Sequence, residues 1–131
     1  MAKTQATRVY GEANSVRTSI ELCILEGRTV LGTGKDDCDP GYTGSNLVTG
    51  SRPAVFGSLA SGLGVPQIVN GLAGGNGVII TSTFGNKAAL VLQSAPTPQL
   101  ELSRTSRGDW TCRAVNFVGE REKYVPGACT T

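Results

Sequence analysis

Cys23, Cys38, Cys112 and Cys129 constrain this chain more than any other feature. They form an even set with no C-x-x-C pair, which argues against a zinc ribbon or thioredoxin-like chemistry and for two structural disulfides in an oxidising, extracytoplasmic setting. Four cysteines allow three connectivities. Two of these cross-link the ends of the chain, whereas Cys23 with Cys38 and Cys112 with Cys129 each close a local loop. The local pairs are preferred, each stabilising by about 3 kcal/mol on the chain-entropy estimate. The alternative, four buried free thiols, fits the compartment poorly.

The absence of His among 131 residues removes the usual general base, the commonest metal ligand and the Ser-His and Cys-His pairs. Hydrolase and metalloenzyme readings weaken accordingly, and no cofactor or metal is expected. A net charge of +2 gives no broad field for nucleic acid or anionic membrane. No apolar run approaches the roughly 18 residues of a membrane span, and Met1-Ala2-Lys3-Thr4-Gln5 does not open a signal peptide. A disulfide framework without a signal is reconciled if a leading segment has been removed and the natural N-terminus lies upstream of Met1.

The chain reads as one α+β domain over 1–131. Ala6, Val9, Ala13, Val16, Ile20 and Cys23 recur at spacings of three and four, one face of a helix over 2–27 that Gly27 ends. The opposite face, with Lys3, Arg8, Glu12, Arg17 and Glu21, is polar, so the domain is expected to be soluble and monomeric. Glycine, 18 of 131 residues and about twice its usual share, is dense in 28–64, an ordered αβ-loop pinned at Cys38. From 65 to 115 the period changes to two: Val65–Val69, Gly77–Phe84, the run around Leu100 and Leu102, and Trp110–Val115 predict a four-stranded antiparallel sheet packed on the helix. Asn70–Asn76 predicts a hairpin connection, and Ala88–Leu92 is either a further strand or a crossing connection.

Most local motifs have plain readings. Arg107-Gly108-Asp109 spells an integrin-binding tripeptide but is also what a hairpin turn selects. Asp36, Asp37 and Asp39 lack the spacing of a calcium loop and read as solvated acids. The tract between Cys112 and Cys129 is more specific. Phe117, Glu120, Arg121, Glu122, Lys123, Tyr124 and Pro126 mix charge and aromatic surface in a disulfide-bounded loop, the kind of segment where binding resides when a rigid scaffold holds it.

Two blocks carry a resemblance. Ala2-Lys3-Thr4-Gln5-Ala6-Thr7-Arg8, continuing to Ser19-Ile20-Glu21-Leu22-Cys23-Ile24-Leu25-Glu26-Gly27, resembles the exposed half of the long N-terminal helix of type IVa pilins. Gly108-Asp109-Trp110-Thr111-Cys112 through Lys123-Tyr124-Val125-Pro126-Gly127-Ala128-Cys129 resembles their final strand and disulfide-bounded loop. Together they cover about a third of the chain. The Cys23–Cys38 pair is additional to the single disulfide most of these pilins carry. The family's methylated N-terminal residue, its glutamate and its apolar half-helix do not appear, in keeping with a removed leading segment.

The resemblance implies the pilin fold and a major pilin: a structural subunit, not an enzyme. It would pass through the inner membrane before assembly and polymerise with other pilin subunits through the missing apolar helix. The resulting extracellular, retractile filament would serve adhesion, twitching motility, phage attachment and DNA uptake. The disulfide loop would then meet a host-surface carbohydrate or glycolipid, with Phe117 and Tyr124 stacking on a sugar face, Glu120 and Glu122 accepting hydroxyl hydrogen bonds, and Arg121 and Lys123 meeting acidic groups. DNA binding is expected to be weak, because Arg8, Arg17, Arg28, Lys35 and Arg52 are scattered among acids. The alternatives are a DNA-binding minor pilin of competence and a pseudopilin of type II secretion; the C-terminal disulfide and the lack of a terminal calcium motif speak against the latter.

Overall fold

The structure, a computed structural model, describes residues 2–42, 44–53, 56–57, 59–69, 78–105 and 107–130. Helix α1 spans Ala2–Leu25, and its face of Ala6, Val9, Ala13, Val16, Ile20 and Cys23 is buried throughout. Gly27, at φ +76°, ends it: the Arg28 amide donates to the Cys23 carbonyl at 2.9 Å and the Gly27 amide to Ile24 at 3.1 Å, filling carbonyls the last turn leaves open. Among the described residues no helix is long and apolar enough to cross a membrane.

Six strands follow among the described residues: β1 (Val48–Thr49), β2 (Gln67–Val69), β3 (Ile79–Phe84), β4 (Gln99–Arg104), β5 (Trp110–Val115) and β6 (Cys129–Thr130). The order is β1-β3-β4-β5-β6, and β2 pairs with the same strand, β3, as β1 does, at Ile79–Thr81 where β1 takes Thr83 and Phe84. β2 to β5 are the four antiparallel strands expected. β1 and β6 were not expected, since a two-residue strand has no period to read. β6 runs parallel to β5 and sets Cys129 opposite Cys112. Ala88–Leu92 is a connection ending in a 3-10 turn at Leu90–Leu92. The Asn70–Asn76 connection lies outside the described residues.

Alternation puts matching rungs of the sheet under the helix. Ile80, Leu102, Cys112 and Cys129 form one rung, and Ser82, Leu100 and Ala114 the next. All are buried beneath the small Ala and Val residues of α1. The Cys23–Cys38 disulfide, with Cα atoms 5.6 Å apart, straps the αβ-loop to the end of the helix, where Leu31 and Cys38 bridge. Further along, Ser45 bridges Gly64. A side chain at Gly64 would collide with the Val48 carbonyl, so glycine is required where β1 passes. Asp37 accepts the Gly34 amide at 3.2 Å and Asp39 the Gly41 amide at 2.9 Å, so these acids shape turns rather than simply meeting solvent. The Arg107–Asp109 segment is the turn between β4 and β5, with Gly108 at φ +93°.

The polar face of α1 needs correction. Glu21 is only half-exposed and is held from within: Arg104, buried in β4, grips both its oxygens at 2.8 and 3.2 Å, and the Trp110 indole donates to the first at 2.7 Å. Arg104 and Trp110 are directly opposed across β4 and β5, so one carboxylate fixes the C-terminal half of α1 to the end of the sheet. The Arg104 hydrogen bonds, opposed by burial, hold the Glu21 carboxyl below its ordinary range. Lys3 is also engaged, donating to the Val125 carbonyl at 2.7 Å, and Arg8 pairs with Glu12 at 3.3 Å.

Arg104 is the buried partner, and removing Glu21 strands its charge. Glu21→Ala should therefore lower unfolding free energy by about 3 kcal/mol in urea titrations. Because the folded pKa of Glu21 lies below its unfolded value of about 4.3, its contribution is complete above that pH and is lost as pH falls toward the folded value. The wild type should show this acid slope and Glu21→Gln should lack it.

Candidate functional site

The segment from Asn116 to Gly127 between the paired strands β5 and β6 is the candidate surface. The Cys112–Cys129 disulfide, with Cα atoms 4.5 Å apart, closes its base. Asn116 leaves β5 at φ +63°, a left-handed conformation that Asn tolerates, and its side-chain amide donates to the Thr97 carbonyl at 3.0 Å. A 3-10 helix, Gly119–Tyr124, then carries the charged residues.

Its inner side is anchored in two places. Phe117 is buried and meets Phe84 edge to face, with ring centroids 5.7 Å apart. Arg121 is 8% exposed, and its guanidinium donates to the carbonyls of Ser94 at 2.7 Å, Asn116 at 3.1 Å and Pro96. Its planar fork of five donors suits a set of carbonyls that a lysine could not span. These bonds and that of Asn116 tie the loop to the connection entering β4. Pro126 is buried as well, and Tyr124 is half-buried beneath Lys123, whose ammonium lies 5.4 Å from the ring centroid.

The expectation that all seven loop residues form the outer surface is therefore corrected. Phe117, Arg121 and Pro126 are interior and cannot stack on a sugar or meet an acidic group. Glu120, Glu122 and Lys123 are exposed, Tyr124 partly so, and Val118 adds 56% exposed apolar surface. The structure thus separates the set into a buried anchor and an exposed ridge. Sequence reasoning missed Asn116 and the Ser94–Thr97 connection; an Asn directly after a strand was the available signal for a left-handed exit. Among the described residues no group of three His, Cys, Asp or Glu could hold a metal ion.

This division is measurable. Phe117→Ala should cost about 3–5 kcal/mol as a large-to-small core change. Glu120→Ala, Glu122→Ala and Lys123→Ala should each stay within about 0.5 kcal/mol of wild type. Denaturant titration of the four variants checks both.

A family model described as pilin (bacterial filament) matches residues 2–130. A probable minor fimbrial protein of Dichelobacter nodosus is 32% identical over 129 residues, covering 98% of this chain and 76% of that protein. A type IV major fimbrial protein of the same organism is 33% identical over 132 residues, with the same coverage. The crystal structure of a Cs1 pilin chimera superimposes with a TM-score of 0.58 over 98% of this chain and 95% of the other at 19% identity, a likeness of fold.

Proposed function

The chain belongs to the pilin family of bacterial filament subunits, and from that premise we propose that it is a major subunit of an extracellular type IV pilus. Its C-terminal ridge would be the part that meets a host-surface carbohydrate or glycolipid. The observation that carries this reading is the contrast within one loop. A turn bearing exposed Glu120, Glu122 and Lys123 is held from beneath by buried Phe117 and Arg121 and closed by a disulfide. A surface fixed before contact loses little conformational freedom on binding, which favours recognition by a small polar patch.

With Phe117 and Arg121 inside, the sugar-directed chemistry rests on the remaining groups. Glu120 and Glu122 accept hydroxyl hydrogen bonds, Lys123 meets an acidic substituent, and the partly exposed Tyr124 ring offers a stacking face. The reading extends to the filament's other duties, twitching motility, phage attachment and DNA uptake, and to a stage in the inner membrane before assembly. As a pilin it is a structural protein, and catalysis has no place in its proposed role.

Changing Glu120, Glu122 and Lys123 together to Ala should leave pilus yield unchanged and reduce adhesion about tenfold or more, the size of one lost interaction of about 1.4 kcal/mol. Wild-type adhesion by such pili would refute the ridge as the recognition surface. Duplex DNA should bind weakly, in the range of about 10⁻⁴–10⁻⁶ M typical of non-specific contact. A sub-micromolar, salt-sensitive affinity would favour the DNA-binding minor pilin instead.

A further inference from the structure

Beside the C-terminal half of α1 and the start of β5 lies an open trough of about 490 Å³, lined by Arg17, Thr18, Glu21, Leu22, Leu25 and Trp110. A second hollow of about 290 Å³ shares Arg17 and Trp110 and is walled by Tyr10, Thr111 and Thr130. Two features here are not used in packing the subunit. Leu22 and Leu25 are 53% and 72% exposed on a helix whose apolar seam is satisfied elsewhere. Arg17 has no hydrogen bond or ion pair among the described residues.

The electrostatics of the trough follow from how Glu21 is used. Arg104 and Trp110 take its oxygens, and Arg104 matches its charge. Arg17, one turn earlier on the helix, acts on Glu21 only through space, so its positive charge is surplus at the edge of the apolar patch. Such a patch is poorly complementary to itself, because an isologous pair would set one positive trough against another. A second copy must therefore bring a different surface. Repeated contacts between two different surfaces generate an open-ended polymer rather than a closed dimer.

We infer that the trough is the receiving half of a heterologous contact between neighbouring subunits of the filament. Arg17 takes a carboxylate of a second copy, while Leu22, Leu25 and Trp110 cover apolar surface on that copy. The inference rests on the chain being a filament subunit. Among the described residues three exposed carboxylates have no partner; Glu120 and Glu122 belong to the ridge assigned to recognition, which leaves Asp36 as the carboxylate that meets Arg17. Glu26 and Asp109 already lie beside Arg28 and Arg107, and Asp39 is occupied by the Gly41 amide.

The test is carried out on the full-length subunit in piliated cells, reading the yield of sheared filaments. Arg17→Glu, and separately the pair Leu22→Ser with Leu25→Ser, should each lower that yield about tenfold or more, the effect of losing roughly 1.4 kcal/mol at a contact. Arg17→Gln, which removes the charge without setting a second carboxylate beside Glu21, should leave the melting temperature within about 2 °C of wild type, since Arg17 makes no hydrogen bond inside the subunit. Combining Arg17→Glu with Asp36→Lys should restore filaments. Normal filament yield from Arg17→Glu or from the leucine pair would overturn the proposal. So would a clear loss of thermal stability in Arg17→Gln, or failure of the Asp36→Lys reversal. The readout is assembly and not adhesion, so failure here leaves the ridge reading standing, and a ridge variant that still adheres leaves this contact standing.

Discussion

The close docking of α1 on the sheet is the constraint on which the rest of the structure depends. A seam of Ala6, Val9, Ala13 and Val16, with Ile20 its one larger member, lets the helix lie close against β3 and β4, so the rungs of the sheet meet it directly. The two ends of this interface are fixed differently. At the C-terminal end of the helix a carboxylate is shared by Arg104 and Trp110. Toward the other end Gln5 accepts the Ala89 amide at 2.8 Å, Lys3 donates to Val125, and Phe84 carries Phe117. Each disulfide joins a segment with little core of its own to this frame: Cys23–Cys38 secures the αβ-loop and Cys112–Cys129 the C-terminal loop. Small domains that bury a modest core often rely on such staples.

Where the sequence had a period, its structure was legible. The helical spacing of three and four named each residue that α1 buries against the sheet, and the alternation around Leu100, Leu102, Cys112 and Ala114 named the inward side of β4 and β5. Legibility ended where period ended. β1 and β6 are two residues each, and both exist because longer neighbours offer them an edge. Glu21 lies beside the seam, where spacing alone cannot show whether a carboxylate turns to water or to a cation carried by a strand 83 residues away.

The C-terminal loop shows the same limit more sharply. Composition brought Phe117, Glu120, Arg121, Glu122, Lys123, Tyr124 and Pro126 together, but a short loop has no face that spacing can assign. Arg121 was the least legible, because a buried arginine is recognised only by the carbonyls that surround it, and those come from Ser94, Pro96 and Asn116. The division of the loop into anchor and ridge nevertheless strengthens the functional reading, since it supplies the rigidity that an exposed polar surface needs.

The proposed roles set two surfaces on one rigid frame: a ridge for recognition and a helix-side trough for assembly. Both presuppose that this chain is a principal building block of a surface filament. The most direct test is quantitative mass spectrometry of filaments sheared from intact cells, with a parallel strain lacking the gene. This chain should make up the bulk of the filament protein, and the deletion strain should yield no filaments. Filaments of normal yield and diameter from the deletion strain, or wild-type filaments in which this chain is absent or only a trace component, would contradict that.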